Sequence, residues 1–170
     1  MNFDELKNDT PIITTDFYKI FQDSYICPSE EMKPAPVAIS IRESIYKGQP
    51  HPLIMGSYGD FSCIVGASKS RKTFFKSMIE AGYIGGRASV LNPSIKGHNT
   101  KDKLVISIDT EQSRFHTQRV QRRVLEMVGA NYDLYKTFSL RQYNPQERFQ
   151  FIDWIVNESE YKGNIGLMSI

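Results

Sequence analysis

The sequence predicts an α/β fold with a mainly parallel sheet. Short apolar, β-branched runs alternate with amphipathic segments along most of the chain, the order that builds strands connected by helices. One run, Leu104-Val-Ile-Ser-Ile-Asp109, is almost continuously apolar, as in a strand buried on both faces. The polar turns at 66–73 and 109–113 each follow a strand candidate, where parallel sheets place ligands.

Residues 1–36 differ from the rest and are read as an N-terminal extension and linker. Phe17, Ile20, Phe21 and Tyr25 have roughly helical spacing, and the Cys27–Pro36 stretch, rich in proline and charge, reads as a turn or linker. The core is expected over 37–170. Val37–Ile41 is a strand candidate, and Lys47–Asp60, with its glycines and prolines, reads as loop. Phe61–Ala67 reads as a strand, Lys72–Tyr83 as a helix and Leu104–Asp109 as the buried strand. Ser113–Gly129 is a long helix whose Val120, Val124, Leu125 and Val128 share a face, with Gly129 as its stop. Tyr135–Leu140 is a further strand. Asn144–Ser159 is a helix with Asn144 as N-cap and Pro145 at its first position. Phe149, Ile152, Ile155 and Val156 form its expected apolar face, and Trp154 is expected in the core. Ile165–Ile170 is the last strand.

The chain has 170 residues, 40% of them hydrophobic and 24% charged, an ordinary globular balance with room for one sizeable core. A net charge of +2 does not by itself argue for nucleic acid. Cys27 and Cys63 have neither zinc-site nor disulfide-framework spacing. The first residues lack the basic and apolar regions of a secretory signal, and no run of about 18 apolar residues occurs. These features predict a cytoplasmic protein outside the membrane.

Phe61-Ser-Cys-Ile-Val-Gly-Ala-Ser-Lys-Ser-Arg-Lys-Thr-Phe-Phe75 carries the clearest chemical signal. A triphosphate needs inward backbone N–H groups, a helix N-terminus, a lysine and a hydroxyl for magnesium. Gly66 opens such a loop, Ala67, Ser68, Lys69, Ser70 and Arg71 line it, and Lys72 and Thr73 supply the lysine and hydroxyl. Arg71 replaces the usual second glycine. It is expected at negative φ with its side chain outward, so that Lys69, Arg71 and Lys72 form a cationic rim. The alternative for Lys69 and Arg71 is solvent-facing charge. Asp109-Thr110-Glu111 ends the buried strand. Such acids hold magnesium through water or prepare a water for attack on phosphorus, or they cap the next helix.

Together, "GDFSCIVGASKSRKTFFKSMIEAG" and "LVISIDTEQSRFHTQRV" resemble the core of RecA-like P-loop ATPases over residues 59–170. The likeness is nearest to the replicative-helicase and RepA-type group encoded on bacterial mobile elements. The resemblance implies a RecA-like core binding ATP and Mg²⁺. It implies Glu111 as general base, Lys72 on the β/γ-phosphates, Thr73 as magnesium ligand, and Asp109 as a supporting acid at the metal. It implies that a basic residue at position 71 is normal for the subgroup. It places Arg114 or Arg119 against the adenine ring, whereas a solvated basic face shared with Arg122 and Arg123 is the bland alternative. It further implies hydrolysis coupled to DNA handling, with DNA as partner and a homo-oligomeric ring or filament. The family's magnesium-binding aspartate is expected just beyond Ile170, so the core is expected to be incomplete and the chain to hydrolyse ATP weakly or not at all. A non-catalytic nucleotide-binding or assembly module is the alternative. A small-molecule kinase is disfavoured, because no lid-like arginine cluster is evident.

Overall fold

A computed structural model describes residues 15–68, 70–98 and 103–170. The chain divides into two compact units, Met1–Pro34 and Ala35–Ile170.

In the first unit, α1 (Phe17–Ser24) starts at Asp16, whose carboxylate accepts the Lys19 N–H at 3.0 Å. That bond satisfies a backbone donor that the helix leaves orphaned. Its Phe17, Tyr18, Ile20 and Phe21 side chains are exposed.

In the second unit, β1 (Val37–Tyr46) and β2 (Gln49–Ser57) form an antiparallel hairpin. Lys47 and Gly48 both have positive φ, 51° and 76°, so they make the two-residue turn that matches strand twist. α2 (Lys72–Ile84), α3 (Ala88–Leu91) and β3 (Ile95–Gly97) follow, and β3 pairs antiparallel with β1. Next come β4 (Leu104–Asp109), α4 (Arg114–Val128), β5 (Tyr135–Ser139), α5 (Pro145–Asn157) and β6 (Ile165–Ser169). β4 lies between β5 and β6, parallel to both.

The structure therefore corrects the expected RecA-like core with one mainly parallel sheet. Among the described residues it has two three-stranded sheets, ordered β2-β1-β3 and β5-β4-β6, of which the second is parallel. Phe61–Ala67 belongs to neither sheet. Strand composition is a preference for a pleated, half-buried setting and needs a partner edge. Among the described residues this stretch has none, and Phe61 is 95% and Val65 88% exposed. Conversely, β2 lies within the expected loop. Pro50 and Pro52 argue against a central strand, but β2 is an edge strand, where a missing N–H is tolerated.

β4 separates two cores. On one face Val105 packs with Ile79, Ala81 and Tyr83 of α2, Val124 and Val128 of α4, and Ile39 and Ile95 of the antiparallel sheet. On the other face Leu104, Ile106 and Ile108 pack with Leu140 and Ile155. The alternation of a strand sends successive side chains to opposite faces, so an almost continuous apolar run serves both. α5 has the predicted cap: Asn144 accepts the Glu147 N–H at 3.0 Å and Glu147 accepts the Asn144 N–H at 2.8 Å. Its apolar face is narrower than expected, with Phe149, Trp154 and Val156 exposed and Ile155 buried. No helix among the described residues is long and apolar enough to cross a membrane.

Candidate functional site

The head of α2 carries the strongest concentration of the expected residues. Gly66, Ala67, Ser68, Ser70, Arg71, Lys72 and Thr73 are all exposed there. Lys69 lies outside the described residues. The Lys72 ammonium folds back and donates to the carbonyl oxygens of Gly66 at 2.8 Å and Ala67 at 2.9 Å. The loop is closed further by Ser70 N–H donating to the Ala67 carbonyl at 3.2 Å. A cation thus lies inside the loop, beside the positive end of a 13-residue helix. The helix starts without a side-chain cap, since Arg71 makes no capping bond.

Arg71 departs from the expected negative φ: it is left-handed, with φ 62° and ψ 26°. Loops of the G-x-x-x-x-G-K-S/T pattern place glycine here, and the Arg71 backbone takes the left-handed conformation that favours glycine although the residue has a Cβ. That conformation costs a non-glycine residue about 1–2 kcal/mol. Arg71→Gly is therefore expected to stabilise the chain by up to about 1 kcal/mol. The relief is partly offset by the greater freedom of glycine in the unfolded chain, about 0.5–1 kcal/mol. Urea unfolding measures this, and a loss of stability on substitution would contradict the strain.

The start of α2 is fixed from below. Lys76, one turn after Lys72, donates to the Ile108 carbonyl of β4 at 2.8 Å. Arg123 of α4 donates to the Thr73 carbonyl at 3.3 Å and to the Ser77 hydroxyl at 2.8 Å, with its guanidinium carbon 5.3 Å from the Phe74 ring centre. Burial pushes the Lys76 ammonium below its usual range, while the charges of Glu80 and Asp109 act in the opposite direction. Lys76 therefore connects the loop helix to the acidic turn that follows β4.

Asp109 shapes that turn. Its Oδ1 accepts the N–H groups of Glu111 at 3.0 Å and Gln112 at 2.8 Å. Glu111 is exposed. Among the described residues no group of three or more His, Cys, Asp or Glu could hold a metal. Magnesium bound with a nucleotide needs less, one or two protein oxygens beside phosphate and water. The Thr73 hydroxyl, at the second position of α2, and the Asp109 carboxylate are oxygen donors of that kind. Arg119 lies on α4 with its guanidinium carbon 6.0 Å from the Phe115 ring centre, and His116 is exposed. Tyr83 is a core residue whose hydroxyl pairs with that of Tyr58 at 2.7 Å.

Sequence reasoning singled out Lys72, Thr73, Asp109 and Glu111 but missed Lys76 and passed over Arg123 as surface charge. The available signal for Lys76 was its spacing of four from Lys72, which sets both on one side of α2. No family model, curated protein or solved structure matches this chain.

Proposed function

We propose that the chain binds ATP with Mg²⁺ through the loop at 66–73 and hydrolyses it, with Glu111 as the base. The observation that carries this reading is the Lys72 ammonium held by two loop carbonyls at the head of α2. Those carbonyls occupy donors that would turn to the β- and γ-phosphate oxygens. The helix N-terminus favours the same negative charge. Magnesium, held by Thr73 and Asp109, would offset phosphate charge. Glu111 would take a proton from the attacking water as its oxygen bonds to the γ-phosphorus and the bond to the ADP oxygen breaks. The I-D-T-E turn and the lysine–threonine pair extend the proposal to hydrolysis coupled to DNA handling, as in the ATPases they resemble.

A second reading, a nucleotide-binding switch or assembly module without turnover, is favoured by one observation. The segment leading into the loop is exposed and unpaired, so the loop has no rigid strand behind it to fix the reacting groups.

Calorimetric titration with Mg-ATP tests the site. Saturable binding is expected, weakened at least about 30-fold in Lys72→Ala, equivalent to about 2 kcal/mol for a lost charged hydrogen bond. Glu111→Gln should keep binding and abolish phosphate release. Turnover absent from the wild type as well would select the switch reading. A folded wild-type chain that takes up no Mg-ATP would end both readings.

A further inference from the structure

A second crevice lies at the carboxyl ends of β4 and β5, apart from the loop at 66–73. β4 leads into α4, which packs on the face of the parallel sheet that also carries α2. β5 leads into α5, which packs on the opposite face and returns the chain to β6, on the far side of β4. The connections thus leave adjacent strands toward opposite faces. In parallel sheets this reversal opens a crevice between the two strand ends, where ligands bind.

That crevice is built from Gln112, Ser113, Arg114, Ser139, Arg141 and Gln142, enclosing about 240 Å³. Through shared Arg114, Ser139 and Gln142 it continues into a cavity of about 780 Å³. Phe115, Gln118, Gln121, Tyr143, Gln150 and Phe151 are among the walls of this larger space. Its volume is in the upper part of the range for small-ligand clefts. The two parts differ chemically. The narrow end has two guanidinium groups, two serine hydroxyls and the first turn of the 15-residue α4, whose cap residue Ser113 makes no side-chain capping bond. These groups suit a phosphate. The wide end has aromatic faces and primary amides. Phe115 is 64% and Tyr143 43% exposed. The Phe115 ring already has the Arg119 guanidinium 6.0 Å and the His116 ring 5.4 Å from its centre, a cationic and aromatic setting that suits a stacked base, and a glutamine amide offers a donor and an acceptor to a heterocycle edge. Glu147 also lines the space, but one of its oxygens is engaged in the α5 cap.

We infer that this crevice binds a nucleotide unit, as part of a single-stranded nucleic acid, with the phosphodiester between Arg114 and Arg141 and the base on Phe115 or Tyr143. A strand is favoured over a free nucleotide because the stacking faces are exposed and the phosphate end opens into the larger space through shared Arg114, Ser139 and Gln142; that choice of source rests on the DNA-handling reading above. The two sources share one recognition chemistry. The assignment does not depend on ATP binding at Lys72.

Fluorescence anisotropy of a labelled 12-nucleotide single-stranded DNA with the full chain, without ATP or magnesium, tests it. AMP is titrated in parallel by calorimetry. Binding is expected to weaken about tenfold or more in the Arg114→Ala/Arg141→Ala double variant. The salt slope should fall by about 0.7, the share of the one phosphate on a single strand that the two arginines hold together. Phe115→Ala should weaken binding at unchanged salt slope, because stacking carries no counterion term. Lys72→Ala should leave it unchanged. All three crevice positions are exposed, and circular dichroism verifies that the variants fold. Arginine-dependent binding of AMP without binding of the oligonucleotide would support the same chemistry with free nucleotide as its source. Neither ligand binding the folded wild type, or binding indifferent to the double variant, would overturn the assignment.

Discussion

Glu80→Leu is expected to destabilise the folded chain by about 3–5 kcal/mol, the range for breaking a buried polar or ionic network by removing one member. Glu80 is fully buried on α2. One carboxyl oxygen accepts the Tyr135 hydroxyl at 2.8 Å, and the other accepts the Ser169 hydroxyl and lies 4.0 Å from the Lys76 ammonium. A single side chain therefore ties the loop helix to both outer strands of the parallel sheet. Leucine fills similar space but accepts no hydrogen bond, so it leaves the Tyr135 hydroxyl without this acceptor and deprives Lys76 of its nearest counter-charge. Such orphaned groups, rather than the lost bonds, dominate the cost. Glu80→Gln keeps a carbonyl acceptor and should cost less, about 1–3 kcal/mol. Urea unfolding of the pair decides the matter: equal, small shifts in midpoint would show that the network contributes little.

Raising the pH above about 10 is expected to weaken the fold steeply, because two core tyrosines resist ionisation. Burial pushes the Tyr83 hydroxyl far above the usual tyrosine range, assisted by its hydrogen bond to Tyr58. Burial does the same to Tyr135, assisted by the charge of Glu80. The folded state holds these protons while the unfolded chain releases them. The stability they contribute is complete below the ordinary tyrosine value. It is lost progressively as pH rises above that value toward the raised folded one. Each such group contributes at most about 1.4 kcal/mol per pH unit, so the pair gives a slope near 2.7. Lys76 has the opposite sign. Its folded value is lowered, so just below the usual lysine range stability rises with pH and offsets part of the loss. Unfolding free energies at pH 9, 10 and 11 measure the slope. Tyr83→Phe and Tyr135→Phe should each remove about half of it, and a slope unchanged in both would refute the assignment.

The second half of the unit was the more legible in sequence. β4, α4, β5, α5 and β6 fall within two residues of their expected bounds, because each has a local signature: a nearly continuous apolar run, a helical period, or the Asn144–Pro145 start. The antiparallel sheet was hidden for physical reasons. β2 carries two prolines that only an edge position excuses, and β3 has three residues, too few for a period. Phe61–Ala67 misled in the other direction, since its composition suits a strand but pairing is a tertiary property. At the site, the identities of Lys72, Thr73, Asp109 and Glu111 were readable from motif. The left-handed backbone at Arg71 and the tie from Lys76 to β4 depend on contacts far apart in sequence and were not.

The position of β4 between its two neighbours also sets a timetable for assembly. The β1–β2 hairpin closes over a two-residue turn, so it can form as soon as its own residues leave the ribosome. β4 must wait for β5 on one side and β6 on the other, both synthesised after it. Until Ser169 emerges, β4, five of whose six residues are buried in the fold, has an unsatisfied edge, the state in which nascent chains are prone to mispair. Closure of such non-local contacts is slow, so β4 keeps an open edge long after the hairpin has formed.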